Sequence, residues 1–352
     1  MLEFFILDKN FKEIGTLSAF DSVIWTRRYY EPGEFEFYTN KEYWAILEQG
    51  RYICRADNTD TAIIEHIGRE EENDRIFAKG RFIEALLGNC VIHTQTTFSG
   101  TNEVVVRKMI QDYAIGKIQK LELGGVNGIG GNMEVQCTGD NVMDKAYETA
   151  KAVEASIKVI YDYVMDTMRA EVWCGKNRTE GQSINTLAVF SDDEGSAEMP
   201  EYDFDTTDYR NFAYIAGEDS GQNRIIITID MRQNSSEELR EVWIDARDLQ
   251  MKEGMTIDVY KGLLKQRGLE KMTEYQKVET VEVVEGNNNA LIYRKNYDVG
   301  DVCTYRNEAM GLELEARITE CIEMYENNEN TLDLIFGTQK ITKIKRIEKG
   351  VI

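Results

Sequence analysis

Between Leu312 and Glu323 the chain reads LELEARITECIE, a strict alternation of the kind an extended strand requires. Successive side chains of a strand point to opposite faces, so Leu312, Leu314, Ala316, Ile318 and Glu320 share one face and the Cys321 side is mixed. A one-residue slip near Thr319 turns Cys321 inward, which predicts a β-bulge. A strand this long needs pairing partners and a core beneath one face.

The first hundred residues supply β-type runs. Leu2–Leu7 is a short apolar strand, Phe11–Leu17 follows a polar DKN turn, and Ser22–Thr26 is β-branched and aromatic. Glu31-Pro32-Gly33-Glu34 predicts a turn into a strand with Phe35 and Phe37 on one side and Glu34, Glu36 and Tyr38 on the other. Lys41–Leu47 reads as a short helix; Tyr52–Arg55, Ala62–Arg69 and Arg75–Gly80 complete a meander around a charged REEEND turn; Arg81–Leu87 is a helix ended by Gly88-Asn89. Strands followed by a helix against a curled sheet predict a small barrel over 1–98.

The period then changes. Thr101-Asn102 caps a helix over Glu103–Tyr113, 124–132 is a glycine-rich loop, Asp140 or Asn141 caps a second helix, and Ile157–Met165 and Arg169–Cys174 form a hairpin turning at Asp166-Thr167. This predicts an α+β unit over 99–208 that closes in an acidic surface loop, 191–208. Strands are expected at Asn211–Ala216, Arg224–Met231 and Glu241–Asp245, a helix over 256–268 stopped by Gly268, then strands at Lys277–Glu285, Asp301–Tyr305, Leu312–Met324 and Thr331–Ile335. The expected division is a second barrel from 209–250 with 291–352, interrupted by a helix-containing insertion at 251–290.

Chemistry is scarce. The chain has six cysteines without paired spacing and two histidines, His66 and His93, which argues against histidine catalysis and most zinc sites. Its net charge of −22 argues against binding nucleic acid through phosphates, although an acidic wall lets DNA slide past. There is no GxSxG, HExxH or Walker loop; GGVNGIGG at 124–131 lacks the Lys-Ser/Thr of a phosphate cradle and reads as a flexible hairpin loop. The pairs Asp192-Asp193 and Asp203/Asp205 have the residue type for glycoside hydrolysis, and the 191–208 loop has oxygen ligands for Ca²⁺ without EF-hand order. With 63 acidic residues chance pairs are expected, so no catalytic residue, metal or cofactor is assigned. No run approaches the roughly 20 apolar residues of a membrane span, and the start MLEFFILDKN does not read as a secretion signal.

Several segments carry a family likeness. The opening LDKNFKEIGTLSAFDSVIWTRRYYEPGEFEFYTN resembles the start of siphophage tail-hub proteins, tail-tip components of phages and phage-like tails of Gram-positive bacteria. Gly80–Leu87 (GRFIEALL), Asp245–Leu249 (DARDL), Tyr297–Val302 (YDVGDV), Glu315–Glu320 (EARITE) and Phe336-Gly337 fit the same pattern over nearly the whole chain. The resemblance implies a β-rich α+β fold of two small tail-tube-like β-barrels with inserted α+β domains, like a phage baseplate hub. It implies a homotrimeric ring that joins tail tube and distal tail protein to the tip or receptor-binding proteins. Such a protein is a virion structural component made in the host cytoplasm. Its neighbours include the tape-measure protein, DNA only passes through its lumen, and no membrane insertion is involved. The chain lacks the peptidase or lysozyme-like extension of longer tail-tip proteins, which argues against a wall-cutting role. Arg27-Arg28-Tyr29-Tyr30 sets two cations and two aromatics beside a turn, suited to a ring contact; a surface strand with snorkelling arginines is the plainer reading. Asp301 and Arg317 join them as expected subunit-interface residues, while Tyr297–Asp301 reads as a tight turn. The alternative function is a carbohydrate- or receptor-binding module using Tyr161, Tyr163, Trp173, Tyr202 and Tyr209 for host attachment.

Overall fold

The computed structural model describes residues 2–70, 75–192, 195–218, 221–286, 291–326 and 329–337. The centre of the expected REEEND turn and Asp193 fall outside them. The chain opens with β1 (Phe4–Leu7), β2 (Glu13–Leu17), β3 (Ser22–Arg28), β4 (Glu34–Asn40), α1 (Trp44–Gln49), β5 (Tyr52–Arg55), β6 (Thr61–Ile63), β7 (His66–Glu70) and β8 (Arg75–Arg81). A 3₁₀ turn, Ile83–Asn89, leads to β9 (Thr96–Thr101), α2 (Asn102–Tyr113), β10 (Leu121–Leu123), β11 (Asn132–Cys137), α3 (Val142–Lys151), β12 (Ser156–Asp162) and β13 (Thr167–Trp173). There follow β14 (Val189–Ser191), β15 (Ala197–Asp205), β16 (Phe212–Ala216), β17 (Ile226–Asp230), β18 (Glu241–Asp245), α4 (Ile257–Met272), β19 (Val278–Glu285), β20 (Val302–Asn307), β21 (Leu312–Glu326) and β22 (Glu329–Gly337).

The alternating segment is β21, 15 residues long and the centre of the molecule. Its first part pairs with β20; from Ile318 onward it lies between β22 and β3. The register shifts between Ile318 and Glu320, and Cys321 is fully buried, as the phase slip requires. Through this strand two halves of the chain share one sheet, in the order β15-β19-β22-β21-β3-β4-β8-β7 and antiparallel throughout.

Each half has its own core. Phe4, Trp25, Phe35 and Phe37 fill the space between β3-β4-β8 and the sheet β2-β1-β5-β6. Phe190, Val281, Tyr305, Leu334 and Phe336 fill the second half, backed by β14 and β20. The α+β unit has a third core, with α2 and α3 packed beside β9-β11 and β10-β13-β12. The Thr101 side chain accepts from Val104 N and that of Asn141 from Met143 N, the caps expected of these helices.

Three expectations are corrected. The strands of 209–250 do not pair with those of 291–352: β17-β16-β18 form a sheet of their own, covered on one face by α4. Gly268 does not stop α4, which continues to Met272; a Cβ there would come within 2.5 Å of Ile215, so glycine lets the helix seat on the sheet. The acidic segment 191–208 is largely β15, an edge strand whose carboxylates can face solvent while Ala197 and Tyr202 face the core.

Candidate functional site

Two features stand out: the open face of the continuous sheet, turned away from both cores, and a seam where that sheet meets the α+β unit.

Cross-strand register assigns the open face. Opposed residues share a face, so the partners of buried Val281, Leu334, Trp25 and Phe37 point inward and the residues between them outward. On β15, β19, β22 and β21 the outward charges are Glu198, Glu201, Asp203, Asp205, Glu282, Glu326 and Glu329, together with Asp333 and Glu320, which are buried. No lysine or arginine stands there among the described residues. On β3, β4, β8 and β7 acids and bases alternate: Arg28, Glu34, Glu36, Arg75, Lys79, Arg81 and Glu70. They pair locally, Arg28–Glu34 at 2.6 Å, Lys79–Glu36 at 2.7 Å and Arg75–Glu70 at 2.6 Å. The Asp203/Asp205 pair lies on this open sheet face, which is no catalytic cleft. Asp192 has a packing role, accepting from Tyr305 Oη at 2.9 Å and Asn307 Nδ2 at 2.7 Å.

The seam gathers five of the six residues expected at a subunit contact. Tyr29 is fully buried. Its hydroxyl donates to Glu154 O at 2.9 Å and accepts from Gly175 N at 3.3 Å, and Trp173 meets its ring edge-on at 5.1 Å. Tyr30 packs edge-to-face on Tyr29 at 4.7 Å, under the Lys151 ammonium. Arg317 lies over Tyr29 and donates to Gly300 O at 2.6 Å and Glu154 at 2.8 Å. Asp301 closes the Asp298–Asp301 turn, accepts from Lys176 N at 2.7 Å and pairs with Arg178. Gly300 has φ +86°, and a Cβ there would come within 2.4 Å of the Tyr29 ring. Arg27 pairs with Asp60 and Asp298. All six have partners inside the chain; the sixth, Arg28, stands on the open face, paired with Glu34 and Glu320.

Behind Arg27 a network escaped sequence reading. Asp60 accepts from Trp25 Nε1 at 3.1 Å and from Arg294 at 2.7 Å, and Glu323 from Arg55 at 2.7 Å. Burial pushes Asp60 upward, yet Arg27 and Arg294 outweigh it and hold the carboxyl down at about 2. Glu84 is the contrary case. It is 9% exposed; Oε1 accepts from Val159 N at 2.9 Å and Oε2 has no partner. Burial pushes it up to about 7. Burial likewise raises Glu320 to about 7 against the pull of Arg28. Glu84 borders a cavity of about 260 Å³ with Asp60, Trp173 and Arg294. A sequence signal for Glu84 existed, a lone acid inside IEALL; the Asp60 network joins residues more than 200 positions apart and had none.

The glycine-rich loop is tied down and is no hairpin. The strands it joins, β10 and β11, belong to different sheets. Glu103 accepts from Asn127 N at 2.7 Å and Ile129 N at 2.9 Å, so N–H groups that a phosphate would need are occupied. The five aromatics of the carbohydrate reading do not converge on one platform. Tyr161 is buried against Phe11 with the exposed Tyr163 packed on it, Trp173 is in the seam, Tyr202 donates to Glu279 on β19 and Tyr209 to Glu237. Five cysteines are buried and Cys174 is exposed, all free. Among the described residues no His/Cys/Asp/Glu group is placed to hold a metal, and no helix is long and apolar enough to cross a membrane.

With this geometry established, the chain belongs to the Siphovirus ReqiPepy6 Gp37-like protein family, whose model matches residues 3–338. Solved structures share the fold at low identity. A tail protein from Neisseria meningitidis MC58 superposes with a TM-score of 0.60 at 12% identity, covering 97% of each chain. The 43 kDa tail protein of prophage MuSo2 from Shewanella oneidensis gives 0.58 at 12% identity over 96% of this chain and 98% of its own. Prophage tail protein gp18 from Listeria monocytogenes EGD-e gives 0.56 at 11% identity over 97% and 95%. No curated protein matches the sequence.

Proposed function

We propose that this protein is a structural hub subunit at the distal end of a phage tail, three copies of which close into a ring. The observation that carries the reading is the strand order. Two four-strand halves, β15-β19-β22-β21 and β3-β4-β8-β7, run on as one antiparallel sheet with free edges at β15 and β7. Unpaired edges are templates for another strand. Joining β7 of one copy to β15 of the next removes every free edge of this sheet once the ring closes, and three copies present six similar halves, the symmetry of a six-fold tube. Phe204 on β15 is 54% exposed beside that edge, an apolar ring for the next copy to cover.

Each half, backed by its second sheet, acts as one small tail-tube-like barrel, and 99–187 and 206–276 are insertions that project from the ring. The open face then lines the lumen. Its acids repel phosphate, so DNA passes without adhering. The ring faces end on the tail tube or distal tail protein on one side and tip or receptor-binding proteins on the other, with the tape-measure protein threading the channel. The role is assembly, not catalysis.

Light scattering of the purified protein at micromolar concentration tests this. The expected mass is three times 40.5 kDa, and class averages of stained particles should show a central hole. A strict monomer with no hole, even when mixed with tail tubes, refutes the ring.

A further inference from the structure

Three aromatic side chains outside the seam do converge on one platform. The sheet β17-β16-β18 is covered on one face by α4, whose Tyr260, Leu263 and Leu264 share a core with Ala213, Ile215, Ile229 and Ile244. Side chains alternate along each strand, so register sets the other face. It carries Phe212 and Tyr214 on β16, Ile226, Thr228 and Asp230 on β17, and Glu241, Trp243 and Asp245 on β18. Trp243 is 53% exposed and Ile226 45%, so this face is open to solvent.

The rings form a row. Tyr214 stacks on Trp243 at 6.4 Å with 29° between their planes, and Phe212 meets Tyr214 at 5.2 Å. Charged side chains hold the row at its rim. The Tyr214 hydroxyl donates to Glu241 at 2.8 Å, and Arg224 lies against Trp243 at 5.6 Å while pairing with Asp245 at 2.7 Å. Arg247 also pairs with Asp245, and Arg232 with Asp230. Three carboxylates and three guanidiniums therefore leave this rim without net charge, in a chain of net charge −22.

That balance selects the occupant. A nucleic acid needs cations free for its phosphates, and each arginine here is already paired. A cationic ligand needs carboxylates free to attract it, and Asp230 and Asp245 are already neutralised by arginine. A neutral ligand with an apolar face and a fringe of hydroxyls meets what is present. A pyranose lays its C–H face on the negative face of an aromatic ring, and its hydroxyls both accept from guanidinium N–H and donate to carboxylate oxygen. Side chains already held in place lose little freedom on binding.

We infer that the outer face of β17-β16-β18 binds a neutral carbohydrate chain, with Trp243 and Tyr214 stacked under its sugar rings and Asp245 and Arg224 bonded to its hydroxyls. The platform lies within one copy of the chain and holds whether or not the ring closes. In a ring, three platforms act together and raise avidity.

An array of immobilised neutral, anionic and cationic oligosaccharides, probed with the full chain, tests it. Wild type should be retained on at least one class of neutral oligosaccharide. Trp243→Ala should lower that signal at least about tenfold and Trp243→Phe by less, because a ring remains. Trp44→Ala, at a partly exposed tryptophan on α1, should leave it unchanged. Circular dichroism and the urea midpoint confirm that each variant is folded. No retention on any neutral oligosaccharide, retention on charged ones alone, or equal retention of wild type and Trp243→Ala would each overturn the inference. Shielding of Trp243 from acrylamide quenching in assembled tails, without any glycan signal, would assign the face to a protein contact and overturn it too. A monomer that binds refutes the ring alone; a trimer that fails to bind refutes the platform alone.

Discussion

The two halves of the sheet have the same strand count and a similar packed core, yet they present opposite solutions to surface charge. The half built on β3, β4, β8 and β7 neutralises itself: Lys79 meets Glu36, Arg75 meets Glu70 and Arg28 meets Glu34. The half built on β15, β19, β22 and β21 is acidic on its outward side, with no lysine or arginine on that side of its own four strands among the described residues, and Glu320 reaches across to Arg28 of β3. Pairing of backbones and burial of one side specify the architecture, so the other side is free to diverge. Fold likeness at about 12% identity is therefore expected where only one face is under packing constraint.

The comparison predicts where the halves behave alike. Trp25→Ala in the first core and Phe336→Ala in the second should each cost about 3–5 kcal/mol in urea unfolding, since both rings are fully buried. A loss under 1 kcal/mol at one site and not the other would show that the halves are unequal cores. Next in size are two raised carboxyls, Glu84 at the seam and Glu320 on the open face. Glu84 and Glu320 are pushed up to about 7 from the ordinary 4.5. An acid raised by folding favours the folded state fully below 4.5 and loses that contribution as pH rises to 7. Glu84→Gln should thus unfold later than wild type at pH 8, by on the order of 2–3 kcal/mol, with the gap closing at pH 4.5. Burial sets this value, with Asp60 pushing it further up and the hydrogen bond from Val159 N and the charge of Arg27 pulling it down. A pH-independent difference would show that the raised carboxyl is not what Gln relieves. Smallest is Lys79→Ala on the neutralised face, expected to cost below about 1 kcal/mol and less in high salt, because exposed pairs contribute little.

Much of the fold was legible because it is local. Alternation located β21 and its bulge, β-branched runs located β3, and Thr101 and Asn141 announced their helices. What escaped was the assignment of strands to sheets. Nothing in FAYIA or EVWID says that these strands pair with each other and not with β22, since pairing over long separations depends on which cores form. The acidic composition of 191–208 suggested a loop because an edge strand tolerates the residues a loop prefers. At the seam, Tyr29 and Arg317 were found as a cluster, but their partners Glu154 and Gly175 come from the inserted unit, and no spacing rule reaches that far.

β21 belongs to both halves at once, bonded to β22 along one edge and to β3 along the other. The two halves are therefore welded by main chain and cannot pivot about a side-chain interface. In the ring proposed above, every second joint is then a ladder within one polypeptide, and only the joints between separate polypeptides are left to yield. If three copies close that ring, compliance, leakage and disassembly should all begin at three places around its circumference instead of six.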